Sequence, residues 1–138
     1  MPDNCLFCKI IRGEIPAAKL YEDDDILAFR DIAPQAPTHF LVIPKKHYRN
    51  MLEMDAEAAS SLFARVPKIA KQLQEKLGSS GINIINNNEE AAGQTVFHTH
   101  VHLLPRFDEF DGLKLSFETH EPDFAALAQL AQEIFLGE

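Results

Sequence analysis

The stretch GQTVFHTHVHLLPR, Gly93 to Arg106, places histidines at every second position: His98, His100 and His102. The 138 residues contain six histidines in all, so this short segment holds half of them. A helix would scatter the three rings around its circumference. A strand stacks them on one face, because side chains at i, i+2 and i+4 point the same way. The segment therefore reads as a strand carrying a row of imidazoles, set among Val96, Phe97, Val101, Leu103 and Leu104.

Working outward from that strand, GINIINNN before it reads as another strand that runs into an Asn-rich turn, and GLKLSF after it as a possible edge strand. AKLYEDDDILAFRD reads as two short strands around an acidic turn at Asp23 to Asp25. THFLVIP is an apolar run between prolines, the pattern of a central strand covered on both sides. From Asp55 to Leu77, Leu62, Val66, Ile69, Leu73 and Leu77 recur at steps of three or four, which predicts a helix capped by Asp55 and ended by Gly78. Pro67 inside it predicts a kink or local break. Pro122 opens a last amphipathic helix with Phe124, Leu127, Ala131 and Ile134 on one side. Hairpin-grouped strands with two main helices predict an α+β fold with a mainly antiparallel sheet, in a single domain spanning the chain.

Composition narrows the partners. Twenty-one acidic residues against 13 basic give a net charge of −8, with no basic stripe to meet the backbone of a nucleic acid. A single small phosphate ester remains possible, since it needs only a local donor pocket. No apolar stretch is long enough to span a bilayer, and the N-terminus MPDNCLFCKI has no long apolar run, as expected of a soluble cytoplasmic protein without a membrane partner. In that compartment the two cysteines, Cys5 and Cys8, read as thiols or metal ligands rather than a structural disulfide.

Three histidines in strict alternation are costly to bury unless each has a partner. If all were protonated they would repel, so at least one must be neutral near pH 7. Two chemistries compete on spacing alone. One is a metal centre, with His-x-His on a strand and a distant third ligand. The other is covalent chemistry at phosphorus, in which one imidazole attacks while its neighbours bind oxygens and protonate the leaving group. The preceding turn NNNEEAAGQT favours the second: Gly93 permits close backbone approach, and Gln94 and Thr95 offer an amide and a hydroxyl suited to anionic oxygens.

HTHVHLL matches the His-x-His-x-His-x-x signature of the histidine triad (HIT) family of nucleotide hydrolases and transferases. DIAPQAPTHFLVIPKKH, Asp31 to His47, and KIIRGEIPAAKLYEDDDILAFRD resemble the Hint branch of that family, so the resemblance covers nearly all of Cys5 to Arg106. It implies a five-stranded sheet with two main helices, joined to a second such sheet in a homodimer. For the dimer, the sequence offers Phe63 and Ala70 beside the main apolar stripe of the long helix. The resemblance also implies that His100 is the nucleophile, attacking the α-phosphorus of a nucleotide conjugate to form a nucleotidyl-histidine that water then hydrolyses. His102, Gln94 and Thr95 would bind phosphate oxygens. His39 matches a fourth active-site histidine near the leaving group. Asp31 and Ile32 match positions lining the ribose and base pocket. Asn86 matches a pocket asparagine, with Asn87 and Asn88 as alternatives.

CLFC is weak by itself. A thioredoxin-like pair follows a strand, and only four residues precede Cys5. Some members of the wider family are similar in holding zinc with such a pair and two histidines, which match His47 and His98. On that implication His98 belongs to a structural zinc site as well as to the triad; the competing reading is two reduced thiols in a short turn. The leading expectation is a hydrolase of purine nucleoside phosphoramidates, of the AMP-lysine type. The alternatives are a dinucleoside polyphosphate hydrolase, because HLLPR resembles the fragile-histidine-triad branch, a metal-dependent hydrolase, and a nucleotide-binding regulatory protein with little turnover.

Overall fold

The structure, a computed structural model, describes residues 2–31, 39–108, 111, 114 and 116–137. Five strands form one sheet: β1 (Lys19–Glu22), β2 (Ile26–Arg30), β3 (Phe40–Pro44), β4 (Gly81–Ile85) and β5 (Val101–Arg106). Their spatial order is β1-β2-β3-β5-β4, and all four pairings are antiparallel. The acidic turn closes the β1–β2 hairpin as the sequence predicts: Asp23 Oδ1 accepts from the backbone N–H of Asp25 and Ile26 at 2.8 and 2.9 Å. The THFLVIP run supplies β3, which is buried throughout because β2 and β5 flank it.

Strand alternation divides the molecule into two layers of packing. Ile26, Ala28, Phe40, Val42, Val101 and Leu103 face one way, onto the long helix α2 (Ala56–Leu77). Asp55 caps α2 by accepting from Ala58 N–H at 2.8 Å, and Gly78 ends it with φ 70°, a left-handed conformation suited to glycine. The expected interruption at Pro67 does not occur: the helix continues through it. Pro67 lies on the exposed side, so the bond its missing N–H leaves unmade costs no buried partner. Ala70 is buried, and Phe63 packs against the same core, so both side chains beside the stripe are used within the chain.

Leu27, Phe29, Leu41 and Ile43 face the other way and meet α1 (Leu6–Ile11), a helix absent from the sequence reading. Cys5 caps α1, its Sγ accepting from Cys8 N–H. The odd positions of β2 and β3 and the even positions of β5 share this face, which collects Asp31, His39 and His102 on one side of the sheet.

Three expectations need correction or placement. The histidine row is not wholly a strand: β5 begins at Val101, His98 lies in a bend and His100 just before the ladder. The reason lies in its partners, since the backbone N–H of Thr99 bonds to Tyr48 O at 2.9 Å rather than to a neighbouring strand. The last helix, α3 (Phe124–Glu133), starts two residues later than expected, capped by Asp123, and its apolar residues Phe124, Leu127 and Leu130 are exposed. GLKLSF falls partly outside the described residues, and its described members Lys114, Ser116 and Phe117 belong to no strand. No helix among the described residues is long and apolar enough to cross a membrane.

The two-sided packing predicts a ranking of stabilities. Leu62→Ala, at a fully buried contact between α2 and the sheet, should cost about 2–5 kcal/mol in urea denaturation. Asp55→Ala should cost about 1 kcal/mol through loss of the cap.

Candidate active site and metal cluster

The sheet face under α1 carries two adjoining groups of histidines. In the first, His100 is 5 % exposed and its Nδ1 lies 2.7 Å from the backbone carbonyl of His98. A carbonyl can only accept, so Nδ1 carries the proton and Nε2 is left bare. Burial pushes the His100 imidazole below its usual range, which keeps it neutral. A bare ring nitrogen on a neutral imidazole is what a nucleophile requires. Asn86 donates to the carbonyl of His100 itself at 2.9 Å, and Asn88 braces Asn86 at 2.7 Å. Asn86 thus acts on the backbone of His100. Asn87 lies beside Gly93.

His102 follows on the same face, its ring 4.9 Å from that of His100. Nδ1 of His102 lies 2.7 Å from Nε2 of the buried His39. Burial, then the neighbouring His100 and His39, hold His102 down to about 4. Asp31 stands at the far end, with Oδ2 3.4 Å from His39 Nδ1. Phe7 of α1 underlies the row, edge-on to the rings of His98 and His100 at 5.9 and 5.1 Å. Sequence reasoning missed Phe7, because two apolar residues between two cysteines have no periodicity to mark them.

The second group is the cysteine pair with His47 and His98, each offering a donor atom within 4.8 Å of the others. His98 Nδ1 lies 3.4 and 3.5 Å from Cys5 Sγ and Cys8 Sγ and 3.2 Å from His47 Nδ1, and Cys8 Sγ is 3.4 Å from His47 Nδ1. A tetrahedral ion with typical metal–nitrogen and metal–sulfur bonds sets edges of about 3.3 Å between nitrogens and about 3.6 Å between nitrogen and sulfur. The spacing fits. His98 Nε2 donates to Pro44 O at 2.8 Å, which leaves Nδ1 unprotonated toward the thiols, the arrangement of a metal-ligating histidine with an outer hydrogen bond. Burial, with Cys5 beside it, pushes the Cys8 thiol up to about 12, disfavouring the thiolate that a cation would stabilise. These four residues could hold a metal ion.

A polar knot holds the segment leading into the histidines. Gln94, 2 % exposed, donates from Nε2 to the carbonyls of Arg49 and Val96, while its Oε1 accepts from Glu89 N–H and Asn50 Nδ2. Both ends of the amide are therefore engaged within the chain. Glu89 adopts φ 75°, ψ 159°, a conformation otherwise left to glycine. Bidentate bonds from Arg49 at 2.8 and 2.9 Å, with another from Asn50, hold it there and lower its carboxyl to about 2. Arg49 also covers the ring of Phe97 at 4.3 Å. Thr95 is exposed on the rim of a cleft of about 410 Å³ that it shares with Cys5, His47, Arg49 and Phe97. Ile32 lies outside the described residues.

Comparison with known proteins agrees with this geometry. The model of the HIT domain matches residues 12–109. A solved structure of SMU.412c from Streptococcus mutans is 57 % identical and superposes with a TM-score of 0.92 over 97 % of this chain and 85 % of that one. Protein hit of Bacillus subtilis is 48 % identical over 88 % of this chain and 84 % of its own length. Adenosine 5'-monophosphoramidase HNT1 of Candida albicans is 36 % identical over 95 % and 89 %. Sequence signature, sheet and histidine arrangement thus meet in one conclusion: the chain belongs to the HIT family, on its Hint-like side.

Proposed function

We propose that the chain hydrolyses nucleoside 5'-phosphate conjugates, with purine nucleoside phosphoramidates as the leading substrate class. The observation that carries this reading is the neutral His100, whose Nδ1–H is tied to the His98 carbonyl so that Nε2 is free to attack. In the proposed reaction, Nε2 forms a bond to the α-phosphorus while the phosphorus–nitrogen bond breaks, and the amine leaves with a proton that His102 has first taken up from solvent at its Nε2. Water then attacks the nucleotidyl-histidine, giving a proton to the now neutral His102 Nε2, while the bond from phosphorus to His100 Nε2 breaks to release the nucleoside monophosphate and restore neutral His100. The name of the Candida relative supports an amine as leaving group.

The other expected site residues take the roles that the family resemblance implies. Asp31 accepts from the ribose hydroxyls and Ile32 lines the base. Thr95 and Gln94 serve the phosphate, Gln94 by holding the segment that carries Thr95. A direct bond from Gln94 to an anionic oxygen requires Nε2 to exchange a carbonyl for it. The metal at Cys5, Cys8, His47 and His98 is zinc on this reading, from the mixed thiolate and imidazole donors in a closed set of four. Held by these four residues, it would be structural, and His98 so ligated would keep in place the carbonyl that orients His100.

Turnover tests the reading directly. Wild type should hydrolyse adenosine 5'-phosphoramidate in preference to diadenosine polyphosphate, and His100→Ala should lose turnover while retaining fold and nucleotide binding. Near wild-type turnover in the variant would refute the nucleophile assignment, and preference for the dinucleotide would assign the chain to polyphosphate hydrolysis.

The metal assignment is separately testable. Cys5→Ala should lower bound zinc, measured by elemental analysis, and the melting temperature more than it lowers the rate per folded molecule. Carefully purified wild type without zinc would dispose of it.

A further inference from the structure

Asp31 sits immediately beyond β2, where its backbone N–H donates to His39 O at 3.0 Å and carries the β2–β3 pairing one residue past the ladder. That bond places the two side chains as neighbours on the same face. Asp31 Oδ2 then lies 3.4 Å from Nδ1 of His39, and Nε2 of His39 lies 2.7 Å from Nδ1 of His102. His39 is 2 % exposed and the Asp31 side chain 15 %. The three groups could hold a cation by proximity alone, since their donor atoms fall within 4.8 Å. However, His39 turns opposite ring nitrogens to its two neighbours, which is the geometry of a chain of contacts and not of a chelate.

We propose that Asp31, beyond its role toward ribose, is a positioning residue that selects the tautomer of the His39–His102 pair. This rests on the phosphoramidate reading above. Two neutral imidazoles 2.7 Å apart can share their contact in two ways. If His39 is protonated at Nδ1, its bare Nε2 accepts from His102 Nδ1–H, and Nε2 of His102 is bare. If His39 is protonated at Nε2, it donates to His102, and its bare Nδ1 lone pair faces the Asp31 carboxylate. The second arrangement opposes a lone pair and an anion in a poorly solvated site, so the first prevails. Burial holds both rings below their usual range, and Asp31 pulls each upward against it. Among the described residues, the charged and titratable groups that act on the pair are Asp31 and His100. His102 therefore gains and loses its working proton at Nε2, on the edge away from His39.

The test uses the full chain with ¹⁵N-labelled histidine and long-range ¹H–¹⁵N correlation near neutral pH. Wild type should show His39 as the Nδ1–H tautomer, and Asp31→Asn should shift it toward Nε2–H. A wild-type His39 protonated at Nε2 would overturn the proposal without any variant or substrate. Kinetics separate the two duties of Asp31 with adenosine 5'-phosphoramidate and its 2',3'-dideoxy analogue. If Asp31 only binds ribose, Asp31→Asn and wild type will show equal kcat on the dideoxy compound, which would contradict the proposal. The expected result is a kcat lower by about tenfold or more in the variant on both substrates, because a wrongly protonated imidazole loses proton-transfer catalysis. If wild type turns over neither compound, the phosphoramidate reading fails, and the spectra still decide the tautomer.

Discussion

A single hydrogen bond, from His100 Nδ1–H to the carbonyl of His98 at 2.7 Å, joins the two halves of this site. On one side of it lies a metal-type cluster that fixes His98 through both ring nitrogens, one toward the thiols and one to Pro44 O. On the other lies a row of neutral imidazoles. Burial keeps those rings uncharged, and each meets a specific partner, so the polar groups are not left unsatisfied in the interior. The strict alternation of the sequence thus serves two purposes. On the proposed reading His98 belongs to the scaffold, and His100 and His102 to chemistry.

The sheet makes this arrangement possible by being packed on both faces. The α2 face holds a purely apolar core, so the α1 face is free to carry polar side chains among Leu27, Phe29, Leu41 and Ile43. The short helix α1 is the link between scaffold and site: it presents Cys5 and Cys8 to the cluster and Phe7 to the rings. The loop from Asn86 to Thr95 is held from outside the sheet, by Arg49, Asn50 and the strained backbone of Glu89.

Much of this was legible in the sequence. Apolar runs and turn residues placed the strands, steps of three and four placed α2, and Asp55 and Gly78 marked its ends, because these signals are local. The histidine row announced a site for the same reason. What stayed hidden depends on residues far apart in the chain. Cys5 and His98 are 93 residues apart, so their meeting follows from the sheet topology and was reached only through family resemblance. Six-residue α1 is too short for periodicity to show. Gln94 looked like a phosphate ligand because an amide suits an anion, whereas its partners at Arg49 and Asn50 lie over forty residues away. Glu89 in a glycine-like conformation is a tertiary effect that no propensity anticipates.

The account turns on a covalent route through a bare imidazole nitrogen. The stereochemical course at phosphorus tests it most directly, using a single diastereomer of an adenosine 5'-phosphorothioate amide hydrolysed in isotopically labelled water. Two successive in-line displacements, first by His100 and then by water, predict retention of configuration. Inversion would mean that water attacks phosphorus directly and would contradict His100 as the nucleophile.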